Sequence, residues 1–118
     1  MKLSMSISSE KGFKIITISG TKLNYSNLSD MEKEVFDEVK GGGQGFILDL
    51  SEITQIDSFA LGFIMNLYRR IMEEGGDLSL ISAHPRVRAV FKMARVDEVI
   101  PVYKTKEEAV TGLANEKD

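Results

Sequence analysis

The sequence of 118 residues contains no cysteine. That excludes together a disulfide framework, a thiolate zinc site, an iron–sulfur cluster and a cysteine nucleophile. Histidine is nearly absent as well, with His84 alone, so the multi-histidine metal hydrolases and triads are excluded too. Charge of one sign is scarce: 15 basic against 18 acidic residues leave a net −3, too little to draw the chain to nucleic acid or anionic lipid. No apolar run approaches the length of a bilayer crossing. The opening Met1-Lys2-Leu3-Ser4 alternates where a secretory signal would be continuously apolar. These absences predict a cytoplasmic protein that is not an enzyme, holds no cofactor or metal, and has no direct nucleic-acid or membrane partner. Its partners should be proteins.

What is present is globular in balance, 42% hydrophobic and 28% charged, and of a length that suits one domain. We expect a single unit over 1–118, ordered from about 3 to 113 with a frayed C-terminal tail, without internal repeat or linker. Leu3, Met5 and Ile7 alternate with serines, the period of a half-buried strand. A turn at Glu10-Lys11-Gly12 leads into the β-branched run Phe13–Ile18, which ends at Gly20, so a hairpin opens the fold. From Ser26 to Lys40, Leu28, Met31, Val35 and Val39 fall at helical spacing, with a capping box at Ser29-Asp30-Met31-Glu32 or a start at Ser26. Phe46–Leu50 reads as a central strand. A helix from Ser58 to about Glu74 carries two adjacent apolar stripes, Ala60, Ile64, Leu67, Ile71 and Leu61, Met65, Tyr68, Met72, both directed to the core. Phe59, Phe63, Asn66, Arg70 and Glu73 are left outside. Leu78–Ile81 is a strand, Pro85 opens a helix bearing Val87 and Phe91, Val99–Val102 is an edge strand, and Thr105-Lys106-Glu107-Glu108 caps a last helix. Single strands alternating with helices imply parallel crossovers, and the hairpin adds an antiparallel pair: an α/β fold with a mixed sheet.

Few residues are arranged for chemistry. Gly41-Gly42-Gly43-Gln44-Gly45 leads from a helix into a strand, the reverse of a phosphate loop, and reads as a helix stop. Asp49 stands near the end of the third strand, where a receiver domain carries its phospho-acceptor aspartate. The first strand here runs into a hairpin instead of the acidic pair a receiver needs, so Asp49 and Asp57 read as residues that orient and cap local backbone. His84 reads as a cap, and Arg86 and Arg88 as solvated charge. Ser58 stands apart because it opens a helix, where free amides and the positive end of the dipole favour a phosphate. Phosphorylation would add about −1.5 to −2 charges beside Phe59 and Phe63 and repel a partner that had desolvated those rings. The alternative is that Ser58 only caps the helix.

Ile47-Leu48-Asp49-Leu50-Ser51, Ile56-Asp57-Ser58, Leu61-Gly62 and the apolar helix closed by Gly75-Gly76 resemble the STAS domain of bacterial anti-sigma factor antagonists. The resemblance spans nearly the whole chain. It implies a regulatory binding module that engages an anti-sigma factor with serine kinase activity and so frees a sigma factor. In the family that kinase phosphorylates the serine after the aspartate, here Ser58, and a serine phosphatase reverses it. The partner-binding residues implied are Asp57, Phe59, Gly62, Phe63, Asn66 and Asn24. Two departures stand out: Asp57-Ser58-Phe59-Ala60 replaces the small residue and glycine usual after the serine, and Leu23 occupies the place of an acid in the loop after the second strand. Two other functions are carried beside this one, a constitutive STAS interaction module in which Ser58 only caps, and a nucleotide-binding or nucleotide-hydrolysing domain using Asp49 and Asp57. A homodimer through Phe59 and Phe63 is a further partner left open.

Overall fold

The computed structural model describes residues 3–41 and 44–117. Strands β1 (Ser4–Glu10) and β2 (Phe13–Ser19) pair antiparallel from Ser4↔Ser19 to Glu10↔Phe13. The turn between them places Lys11 and Gly12 at φ 52° and 85°, the left-handed pair that lets a two-residue turn follow the twist of its strands. Then come β3 (Lys22–Leu23), α1 (Tyr25–Leu28), α2 (Glu32–Val39), β4 (Gly45–Asp49), β5 (Gln55–Ile56), α3 (Ser58–Glu73), β6 (Asp77–Ile81), α4 (Pro85–Met93), a 3-10 turn at Val96–Glu98, β7 (Val102–Tyr103) and α5 (Lys106–Lys117). The main sheet runs β1-β2-β4-β6-β7, parallel from β2 onward, and β3 pairs with β5 in a separate parallel ladder. The expected mixed sheet is therefore present.

Because strand order rises without reversal from β2 to β7, right-handed crossovers deliver every intervening helix to one face. Ile16, Ile18, Phe46, Leu48, Leu78 and Leu80 point to that face and pack with residues of α1 to α4. The other face, with Phe13, Ile15, Ile47 and Ile81, is covered by Ala109 and Val110 of α5. An open α/β sheet usually binds its ligand where the strand order reverses. This sheet has no such reversal among its parallel strands.

Three elements differ from the sequence expectation. The helix expected over Ser26–Lys40 is broken in two, and the Ser29 capping box does not form: Met31 precedes α2 without a side-chain cap. Asn24 caps α1 instead, because its side chain accepts from the Asn27 amide at 3.2 Å while the Asn27 side chain accepts from the Asn24 amide at 3.0 Å. Breaking the helix lets both Leu28 and Met31 reach the core. The strand expected over Val99–Val102 is shortened to Val102–Tyr103 by the preceding 3-10 turn, and Pro101 contributes only its carbonyl, accepting from the Leu80 amide at 2.9 Å. At the end of the chain α5 remains helical to Lys117, past Leu113. Of the glycine cluster, Gly42 and Gly43 lie outside the described residues, while Gly41 stands at φ 72° just after α2. Among the described residues no helix is long and apolar enough to cross a membrane.

Candidate functional site

Helix α3 is held at both ends by backbone chemistry its sequence supplies. At its C-terminus Gly75, at φ 80°, and Gly76 donate back to the carbonyls of Met72 and Ile71 at 3.1 and 2.9 Å, the two-bond closure that a glycine in left-handed conformation allows. At its N-terminus the cap is Asp57, not Ser58. The Asp57 carboxylate accepts from the Ala60 amide through Oδ1 at 3.0 Å, so the aspartate satisfies the donor that a cap residue normally serves.

Ser58 is consequently the first residue inside the helix. It is exposed, and among the described residues its hydroxyl has no hydrogen-bond partner. The amides of Ser58 and Phe59 likewise donate to no described group, as expected of the first turn of a helix. An oxyanion on the Ser58 side chain would meet free amides, the positive end of the α3 dipole, and the adjacent Asp57 carboxylate.

A second segment is brought to this point by the short ladder of β3 and β5. Lys22 pairs with Gln55 and Leu23 with Ile56, the Thr54 amide donates to the Thr21 carbonyl at 2.8 Å, and the Asp57 amide to the Leu23 carbonyl at 3.3 Å. Asn24 and Tyr25 therefore arrive beside Asp57 and Phe59. The free oxygen of Asp57, Oδ2, accepts from the Tyr25 amide at 3.2 Å, so one carboxylate fastens the first turns of both α1 and α3. The Tyr25 ring meets Phe59 edge to face at 5.0 Å between centroids and stays 63% exposed. Open recesses of about 320 and 270 Å³ flank β3, the first lined by Thr21, Lys22, Asn24, Ser26 and Asn27, the second reaching Gln55 and Asp57.

The residues singled out in the sequence separate into two sets. Ser58, Gly62 and Asn66 are all exposed and stand at intervals of four, one line along the outer surface of α3. A side chain at Gly62 would meet open space, and Asn66 accepts from Arg69 Nη1 at 3.0 Å. Asp57, half-buried Phe59 and half-buried Asn24 border that line. Phe63 does not belong to it: expected on the outside, it is 3% exposed and packs edge to face on Phe36 of α2 at 5.8 Å. The second stripe is corrected in the opposite sense, since Leu61, Met65 and Tyr68 are only half-buried and Met72 is exposed. Both corrections have one cause. Helix α2 lies against α3 on the Phe63 side, which turns the buried arc toward Phe63 and away from Met72.

Asp49 and Asp57 each serve local backbone: Asp49 accepts from the Ser51 amide at 3.0 Å in its own turn, and Asp57 accepts from Ala60 and Tyr25. His84 Nδ1 accepts from the Arg86 amide at 3.2 Å at the start of α4, the capping role expected of it. Among the described residues no cluster of three metal-ligating side chains occurs. Tyr25 was missed in the sequence. Its signal was Asn24-Tyr25-Ser26-Asn27, where an asparagine cap presents an aromatic residue at the first helical position.

Residues 4–109 match the family model described as STAS domain. The chain is 35% identical over 97 residues to a Thermotoga maritima protein named "Putative anti-sigma factor antagonist", covering 81% of this chain and 86% of that protein. Among solved structures, the STAS domain protein of Planctomyces limnophilus superposes with a TM-score of 0.86 at 21% identity, covering 97% of this chain and 99% of that one. The Bacillus cell fate determinant SpoIIAA in its phosphorylated form gives 0.66 at 17% identity, covering 93% and 99%. These two likenesses are of fold.

Proposed function

Because the chain belongs to the STAS domain family, we propose that it acts as an anti-sigma factor antagonist switched by phosphorylation of Ser58. Unmodified, it binds an anti-sigma factor that is also a serine kinase, and so frees a sigma factor. The kinase transfers phosphate to Ser58, the complex dissociates, and a serine phosphatase restores the binding form. One observation carries this reading: Asp57 performs the capping, which leaves the Ser58 hydroxyl exposed and unpartnered at a helix end whose free amides suit a phosphate. The name of the Thermotoga relative and the existence of a phosphorylated form of SpoIIAA lend support.

The physical basis of the switch is electrostatic. A phosphate of charge about −1.5 to −2 would stand next to Phe59, whose ring continues into Tyr25, and beside the existing charge of Asp57. Two close negative charges at the rim of an aromatic patch make desolvation of that patch by a partner unfavourable. The test is to capture the anti-sigma factor that the unmodified protein binds and to incubate the two with ATP. Label is expected on Ser58 and absent from Ser58→Ala; phosphate on another residue, or none while the partner is bound, overturns the reading.

The Tyr25 and Phe59 pair favours one alternative, an interaction module that is not controlled by phosphorylation. After the serine, where the resemblance implies a small residue, this chain has Phe59, whose ring with Tyr25 enlarges the contact surface. Partner affinity of Ser58→Asp, measured by calorimetry, separates the two: a large loss favours the switch, and unchanged affinity favours the constitutive module.

A further inference from the structure

Asp57 does more than a helix cap requires. Aspartate, asparagine and serine serve the first turn of a helix almost equally well, because that task takes a single acceptor oxygen. Oδ1 of Asp57 performs it on the Ala60 amide at 3.0 Å. The second oxygen accepts from the Tyr25 amide at 3.2 Å, in a segment 32 residues earlier. Of those cap residues only aspartate has two oxygens that both accept and no hydrogen to donate. A further restraint stands beside Tyr25, where Asn24 and Asn27 exchange side-chain and backbone hydrogen bonds at 3.2 and 3.0 Å. The backbone of Tyr25 is thus held from two directions, while its side chain stays out of the core: the residue is 63% exposed, and its ring meets Phe59 at 5.0 Å between centroids with the planes 84° apart. A fixed backbone carrying a free aromatic ring suits a binding anchor, because little freedom remains to be lost when a partner arrives. Tyrosine is among the residues that most often carry binding energy.

We propose, resting on the function proposed above, that Tyr25 anchors the anti-sigma factor through its ring and that Asp57 acts on binding as the positioning residue of Tyr25. The ring lies against Phe59 and takes an apolar side chain of the partner on the surface it still exposes. Phe59 stands where the resemblance implies a small residue, so the two rings together give this chain a contact that a small residue could not make. The choice of aspartate as the cap of α3 then has a reason beyond the helix. One oxygen starts α3 at Ser58, and the other sets the anchor beside it.

Two single variants and their combination test this by calorimetry, against the anti-sigma factor that the unmodified protein captures, with circular dichroism confirming each fold. Tyr25→Ala is expected to weaken binding about tenfold or more, as loss of an interface tyrosine does. Asp57→Asn keeps the cap, since its carbonyl oxygen still accepts from Ala60, but turns an NH2 group, a donor, toward the Tyr25 amide. It is expected to unfold close to the wild-type temperature and to bind about three- to tenfold more weakly, the worth of one hydrogen bond. In the double variant the loss due to Asp57→Asn should vanish, because no ring is left to position, whereas a direct contact or a general structural effect would add to that of Tyr25→Ala. Additive losses, or no loss in Asp57→Asn, overturn the positioning role. A folded Tyr25→Ala that binds as wild type, while Ser58 is still labelled, overturns the anchor and leaves the phosphorylation reading standing. If the unmodified protein captures no anti-sigma factor, that reading and this inference fall together.

Discussion

Phe59 and Phe63 stand one turn apart on the same helix and have different fates. Phe63 is enclosed against Phe36, over whose ring the Arg70 guanidinium stands at 5.7 Å from the centroid. Phe59 remains at the surface, touched by a tyrosine that is itself mostly exposed. Helical spacing alone gives the two positions nearly the same direction, about 40° apart. What divides them is the reach of α2, which covers α3 at the level of Phe63 and not at its first turn. One phenylalanine is thereby spent on the fold, and the other is left where a partner can touch it beside Ser58.

The contrast can be broken in order of expected effect. Phe63→Ala should lower stability by about 3–5 kcal/mol, as loss of a buried aromatic does; denaturant unfolding measures it, and a small loss would mean that Phe63 is not enclosed. Phe59→Ala should act on binding: a weakening of about 2 kcal/mol or more, as at an aromatic hot spot, with stability lowered by about 1 kcal/mol. If it destabilises as much as Phe63→Ala, the division between the rings is wrong. Asp57→Ala removes the cap of α3 together with the acceptor of the Tyr25 amide, and should cost about 1 kcal/mol. Ser58→Ala, which removes no hydrogen bond, should stay within about 0.5 kcal/mol in thermal unfolding. Should Ser58→Ala prove as costly as Asp57→Ala, the serine shares the capping and is less free than proposed.

Most of the fold was legible wherever a period persisted long enough to be read. The hairpin, the central strand ending at Asp49, the helix closed by Gly75-Gly76 and the capping box at Thr105, where the Glu108 amide donates to Thr105 Oγ1 at 3.1 Å, are all local patterns. β3 and β5 were not legible, because two residues carry no period and each exists only by pairing with the other. The break before Met31 was hidden by apolar spacing that continues across it. At the site, Ser58 and Asp57 were found by position and Asp57 was read as a residue that caps local backbone; whether Ser58 capped instead was left open, since serine and aspartate are near-equal caps and only the geometry of the first turn decides between them. Burial of Phe63 depended on Phe36 from another helix, and the presence of Tyr25 on a ladder between distant segments. Neither leaves a mark within one turn of sequence.

That ladder has a consequence for when the site exists. Tyr25 and Asp57 are joined by a hydrogen bond spanning 32 residues, so the two stand together only once the chain between them has been organised. An unfolded or truncated copy still carries the serine but not the tyrosine beside it. A partner that touched both residues would therefore distinguish the folded chain from an unfolded one.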